Sequence, residues 1–236
     1  MSDTQKQRVE DMVETTEQYD KSFKLISRGD ACTGSTLLID GFMLRTMEQQ
    51  ENRYSLSFHV PGDFVDLHCF VLRRLDHDIV TVGPVTLGFV PHEAIQSAID
   101  DDADLARLLW FSTLLDAALH REWILKLEQL TAPKRIAHIF AEIWRRLEMV
   151  GLARSNGFNT PLTQTDLAEM CGATAIHANR ALRDLRERGL AEFRRGRVYI
   201  ESRQALEDYA QFSPDYLYGE GLLHVTKDQF DGTKSR

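Results

Sequence analysis

Residues able to read base edges are concentrated between Leu162 and Ile200, where the chain runs LTQTDLAEMCGATAIHANRALRDLRERGLAEFRRGRVYI. Asn179 and Arg180 carry the amide and guanidinium that pair with adenine and with guanine O6/N7 in a major groove, each worth about 1–3 kcal/mol of discrimination. They share the first half of one helical segment with Ala175, Ile176 and Arg183, while Ala178, Ala181, Leu182 and Leu185 recur at the spacing of a buried face. Further on, Arg194, Arg195 and Arg197 surround Gly196, a set of cations suited to phosphate contacts.

These side chains need a scaffold, and local signals predict one. Thr163 and Asp166 have capping-box spacing and start a short helix over Gln164–Met170. Gly172 takes the left-handed position that leaves it, Thr174 caps a second helix to about Arg188, and Gly189 stops that one. Two short helices joined by a glycine-containing turn predict a helix-turn-helix. The runs on either side of the basic glycine turn predict a β wing. Each feature alone also fits an ordinary helical hairpin with a solvated basic face. Their order and spacing together favour winged DNA binding.

With 43% hydrophobic and 27% charged residues over 236 positions, the composition is that of a globular protein with room for one large or two ordinary domains. No run approaches the roughly eighteen apolar residues of a membrane span, and the polar start MSDTQKQRVEDMVETTEQYD does not read as a secretory signal. Cys32, Cys69 and Cys171 lack a pairing motif and are expected to be reduced thiols of a cytoplasmic protein. The net charge of −8 is unevenly shared: residues 131–200 carry 12 Lys+Arg against 7 Asp+Glu, a net +5, and the remainder is −13. A basic module on an acidic body suits a polyphosphate partner, because binding follows the local field. With no paired nucleophile and base, phosphate-cradling glycine loop or zinc signature, an enzyme is not expected.

Residues 1–18 read as a frayed end or a marginal helix. Leu37–Ile39, Phe42–Leu44, Tyr54–Val60, Phe64–Leu67, Asp78–Val82 and Val85–Val90 are short runs punctuated by glycine and proline, which predicts a small β-roll over about 20–100. A short helix over 91–99 and a long one over about 103–130 follow. The long helix is apolar on more than one face, so a second copy of itself is its expected partner, with Leu108, Phe111, Leu115, Leu119 and Trp123 in the seam. Ala132-Pro133 is the expected hinge between a sensor-like half (1–130) and a DNA-binding half (131–236). Lys134–Val150 reads as a helix with one apolar side, 152–161 as a polar loop, and Tyr209, Phe212, Tyr216 and Tyr218 as aromatics packed on a neighbouring surface.

This order of β-roll, long helix and winged helix-turn-helix resembles the cyclic-AMP receptor protein / fumarate-nitrate regulator (Crp/Fnr) superfamily of bacterial transcription factors. FHVPGDFVDL at 58–67, FVPHEAI at 89–95 and LTQTDLAEMCGATAIHANRALRDL at 162–185 carry the likeness, the first being similar to an alphaproteobacterial branch. The resemblance implies an α+β fold with a cyclic-nucleotide-binding-like jelly roll. It also implies a homodimer on palindromic double-stranded DNA, with RNA polymerase as partner of an activator and no membrane association. It puts Thr163, Gln164 and Thr174 near phosphates, and Ala175, Ile176, His177, Asn179 and Arg180 at or near base edges, with Arg180 at the guanine-reading position. Relatives often carry charge where Ala175 and Ile176 stand, which leaves apolar contact with thymine methyls.

In cyclic-nucleotide-binding relatives a Gly-Glu-x-Gly turn holds the ribose and a later Arg-Ser or Arg-Thr holds the phosphate. Here those places read Gly62-Asp63-Phe64-Val65 and Asp76-His77-Asp78, with Arg73 and Arg74 in an apolar-basic run, so cyclic AMP is not expected. Three dispersed cysteines do not make the usual four-thiolate iron–sulphur set. His59, His68, Cys69, His77 and His92 have the chemistry to hold metal or haem, but no ligand spacing supports it, and no cofactor is predicted. A competing reading keeps the β-roll as an effector-binding protein whose C-terminal module contacts other proteins.

Overall fold

The computed structural model of the chain describes residues 2–50 and 52–219; the end of the expected DNA-binding half, 220–236, lies outside the described residues. Helix α1 (Asp3–Asp11) is followed by β1 (Thr15–Tyr19), β2 (Lys24–Ile26), β3 (Gly34–Gln49), β4 (Asn52–His59), the single turn α2 (Cys69–Leu72) and β5 (Asp78–Pro91). The strands make one antiparallel sheet in the order β1-β5-β3-β4, with β2 also paired to β5. One face encloses Leu38, Met43, Val65, Leu75, Ile79 and Leu87, which fill the inside of the roll.

Three expectations change in this half. The start of the chain is not frayed: it forms a helix, the other expectation, with Ser2 and Gln5 completing a capping box for α1, and adds an unexpected strand, β1, paired with residues 85–89 of β5. The sequence TTEQY hides that strand because it lies at the sheet edge with almost every side chain exposed. The paired short runs at 37–44 and 78–90 fuse into two long strands. Gly41 (φ +95) and Gly83 (φ +69), which look like turns, lie within continuous strands, and β3 shifts register on both sides of Asp40. Phe64–Leu67 is not a strand; it makes an isolated bridge between Leu37 and Phe64 and leads into α2.

Helix α3 (His92–Asp101) leads into α4 (Ala103–Gln129), 27 residues long and therefore about 40 Å from end to end. Asp102 starts α4 by accepting the amides of Asp104 and Leu105. Leu130 and Thr131 are extended, and α5 (Ala132–Met149) begins at once with Pro133 in its first turn. The break therefore precedes the proline, which occupies a first-turn site where its missing N–H is not needed. Helix α5 is buried on nearly every side rather than one.

The remaining elements are β6 (Gly157–Asn159), α6 (Gln164–Met170), α7 (Ala175–Glu187), β7 (Glu192–Arg194), β8 (Arg197–Tyr199), α8 (Arg203–Ala210) and a 3-10 turn at Pro214–Leu217. Strand β6 lies where a polar loop is expected; buried Phe158 anchors it on Phe140, and it pairs with β8 to make the wing three-stranded. A single apolar cluster runs from Phe42, Leu44 and Phe58 of the sheet through Leu119 and Trp123 of α4 to α5 and the helix-turn-helix. The two halves thus share a core, and burial of that core holds them together.

Candidate nucleic-acid interface

The capping box at the start of α6 is complete. The Thr163 hydroxyl accepts the Asp166 amide at 3.1 Å, and Asp166 accepts the Thr163 amide at 2.8 Å. Gly172 (φ +58) turns the chain, and Thr174 caps α7 by accepting the His177 amide at 3.3 Å while lying 2.9 Å from the His177 ring. Ala178, Ala181 and Leu185 are buried and fix the roll of α7 about its axis. Gln164, Ala175, Ile176, His177, Asn179, Arg180 and Arg183 consequently share the solvent side, with Ile176 66% exposed.

The wing completes the surface. A two-residue loop, Arg195-Gly196, joins β7 to β8 with both residues left-handed (φ +51 and +72). Arg195 stands exposed at the tip. Arg197 is placed differently: its guanidinium donates to Asn156 Oδ1 at 2.7 Å and lies 4.4 Å from the Tyr199 ring, so it braces the wing. Arg194 and Arg186, the latter not singled out by sequence, line a cleft between α7 and the wing together with Gln164, Asn179 and Arg183. The helical spacing of Arg186, three residues after Arg183, was the available signal.

Behind this surface lie contacts that no local motif announces. Arg53 of β4 donates to Asp166 and to Glu169 of α6, each at 2.7 Å. Arg146 of α5 reaches the opposite way, bonding Asp63 of the β-roll and the Phe58 carbonyl (3.1 Å). Arg135 donates to the carbonyls of Cys171 (2.9 Å) and Leu127 (2.6 Å), tying the reading turn to the end of α4. Cys171 is fully buried, and burial pushes its thiol up to about 12.

The residues expected to form a seam on α4 lie on the side of the helix that packs on their own chain. Leu119 and Trp123 are only 6% and 4% exposed, with Trp123 against Phe58, and Leu108, Phe111 and Leu115 flank them half-buried. These five share the stripe that faces their own chain. The uncovered stripe is Trp110 (67% exposed), Leu114, Ala117, Arg121 and Ile124 (63% exposed). Its 4-3-4-3 spacing is that of a coiled-coil seam. The aromatics after α8 return to the core: Tyr216 donates to Glu142 at 3.0 Å, Phe212 packs on His138, and Tyr218 sits edge-on to Phe111.

In the β-roll, Asp63 is engaged with the Val60 amide, His59 and Arg146, and Val65 is fully buried. Arg73 lies beside His92, and Arg74 donates to the Gly29 carbonyl. His77 pairs with Asp76; His59 and His68 are pushed down to about 4, chiefly by burial.

A β-roll, a long connecting helix and a winged helix-turn-helix whose second helix stands exposed make up the fold. Residues 134–209 match the family model of the Crp-like helix-turn-helix domain. The chain is 26% identical to the transcriptional activator protein FnrL of Cereibacter sphaeroides over 178 residues, 73% of this chain and 70% of that one. Its fold is similar to that of FixK2 from Bradyrhizobium japonicum (TM-score 0.74, 22% identity, covering 83% of this chain and 96% of the other). It is also similar to that of a CRP-family transcriptional regulator of Thermus thermophilus (TM-score 0.67, 16% identity, covering 84% and 97%). Residues 134–209 thus carry a match to a Crp-like helix-turn-helix domain, and the whole chain is similar in fold to regulators of the Crp/Fnr type. Among the described residues no helix is long and apolar enough to cross a membrane.

Proposed function

We propose that the chain works as a homodimer that reads a palindromic operator with α7. The observation that carries this is the orientation of α7, whose buried face is fixed by Ala178, Ala181 and Leu185 while Ile176, Asn179 and Arg180 stand clear in its N-terminal half. Asn179 and Arg180 read adenine and guanine, Ala175 and Ile176 face thymine methyls, and His177 contacts base or backbone. Thr163, Gln164, Thr174, Arg183 and Arg195 bind phosphate. Arg197 serves the phosphate surface by stiffening the wing. Two copies meeting along Trp110, Leu114, Ala117, Arg121 and Ile124 would set their reading helices one turn of duplex apart, about 34 Å. RNA polymerase would be the further partner of an activator, and the cytoplasm its place of action.

Control by cyclic AMP does not fit the residues present. The Asp63 carboxylate is already held by Arg146, and it would repel a cyclic phosphate. Buried Val65 fills the place where close backbone approach is needed. Cys171 lies in the other domain from Cys32 and Cys69, so the three do not form the usual thiolate set for an iron–sulphur cluster. The signal is therefore assigned neither to cyclic AMP nor to a cluster of that kind.

Binding to sites selected from random DNA tests the reading. Arg180→Ala should weaken specific binding by about 1–3 kcal/mol, roughly 5- to 150-fold, and relax the preference at one base, with an unchanged melting temperature. Undiminished specificity in that variant would refute the base-reading role. Absence of any salt-sensitive DNA affinity would favour a C-terminal module that contacts protein instead.

A further inference from the structure

Two of the three thiols share a neighbourhood in the β-roll that DNA reading does not use. Cys69 opens α2 and is fully buried in the roll interior with Leu38, Met43 and Val65. Cys32, on the stretch entering β3, is half-buried and packs on the same cluster. The backbone holds them together. The Cys32 amide donates to the Arg73 carbonyl at 3.0 Å, and the Arg73 amide donates to the Cys69 carbonyl at 2.9 Å. Arg73 is left-handed (φ +66), and this reversal brings Arg74 into an antiparallel bridge with Ala31. The segment carrying Cys32 thus lies against the end of α2, and both side chains pack in the same apolar cluster. Cys171 is elsewhere, sealed beneath the reading turn.

We propose that Cys32 and Cys69 are a redox-active pair, which a peroxide closes into an intramolecular disulfide and a reducing thiol reopens. Cys32 is the accessible partner and is oxidised first. Its sulfur attacks one peroxide oxygen, the O–O bond breaks, and water leaves behind a sulfenic acid. The Cys69 sulfur then displaces the sulfenic oxygen: the S–S bond forms, the S–O bond breaks, and the Cys69 proton departs with that oxygen as a second water. The two thiols lose two electrons and the peroxide gains them. Burial raises the Cys69 thiol above its ordinary range, so this residue is protonated at rest and suited to resolving rather than initiating. A disulfide needs Cα atoms roughly 4.4–6.8 Å apart, and Arg73, whose backbone bonds both cysteines, holds the two segments side by side. The bridge would pin α2 to the root of β3, just downstream of the turn in which Asp63 grips Arg146. Formation of the bridge does not depend on the DNA-binding reading.

The test is intact-mass and peptide analysis of the full chain after treatment with stoichiometric hydrogen peroxide and alkylation of the remaining thiols. The expected product has lost two hydrogens, contains a peptide linking Cys32 to Cys69, and reverts with dithiothreitol. C32S should abolish it and C171S should leave it intact. C32S replaces a half-buried side chain, so the result does not hinge on the core variant C69S folding. Oxidation of Cys32 to sulfinic acid with Cys69 still alkylatable would overturn the proposal, as would a cross-link between chains or the same mass loss in C32S.

Discussion

Arg195 sits in the left-handed region at the wing tip, where glycine is at ease and any other residue pays about 1–3 kcal/mol. A strained cation at an exposed tip points to selection for contact rather than for stability. Arg195→Gly should raise the melting temperature while lowering DNA affinity and flattening the dependence of log affinity on log salt by about one unit. An unchanged salt slope in that variant would refute the phosphate contact. His59 makes a different prediction. It faces Asp63, Ser57 and the Arg45 cation, and burial foremost, with Arg45 second, pushes it down to about 4. The native state thus binds fewer protons than the unfolded chain between about pH 6.5 and 4. Stability is full above that window and is lost as pH falls through it, by an amount on the order of 3 kcal/mol. Denaturant unfolding at pH 7 and pH 4.5 should show a smaller acid loss in His59→Gln, with His68 leaving a residual slope. Caps such as Thr163–Asp166 and Thr174–His177 were legible in the sequence because both partners lie within one turn. Arg53 and Arg146 were not, because their carboxylates lie 83 or more positions away.

At the scale of elements, long periodic segments were readable and short or edge strands were not. Helix α6 falls where its capping box and glycine place it, whereas β1 and β6 owe their existence to partners already in place. Which side of α4 its own chain covers was not legible for a related reason. Both sides of the helix are apolar at heptad-like spacing, and only the sheet and α5, packed against Trp123, decide which stripe is inward. The contact between β4 and α6 is likewise invisible before folding. Arg53→Glu should increase hydrogen exchange in α6 by removing its brace and setting like charges together. A Glu169→Arg change added to it should restore protection, with a coupling of about 0.5–3 kcal/mol in the double-mutant cycle. A null coupling would mean that Arg53 is a solvated side chain.

For the whole molecule, the proposed dimer stands on the stripe from Trp110 to Ile124. Ile124→Glu should produce a monomer in sedimentation at micromolar concentration and abolish tight binding to a palindrome, while leaving the fold intact. A variant that stayed dimeric would place the seam elsewhere. The opposite side of the same helix holds the indole of Trp123, which donates to Glu142 of α5, beneath which the reading unit is built. Helix α4 would then be an axle with a gear on each side. In the proposed dimer, rolling it against a partner would drag Glu142 along, so the distance between the two reading heads would be geared to the meshing of the subunits.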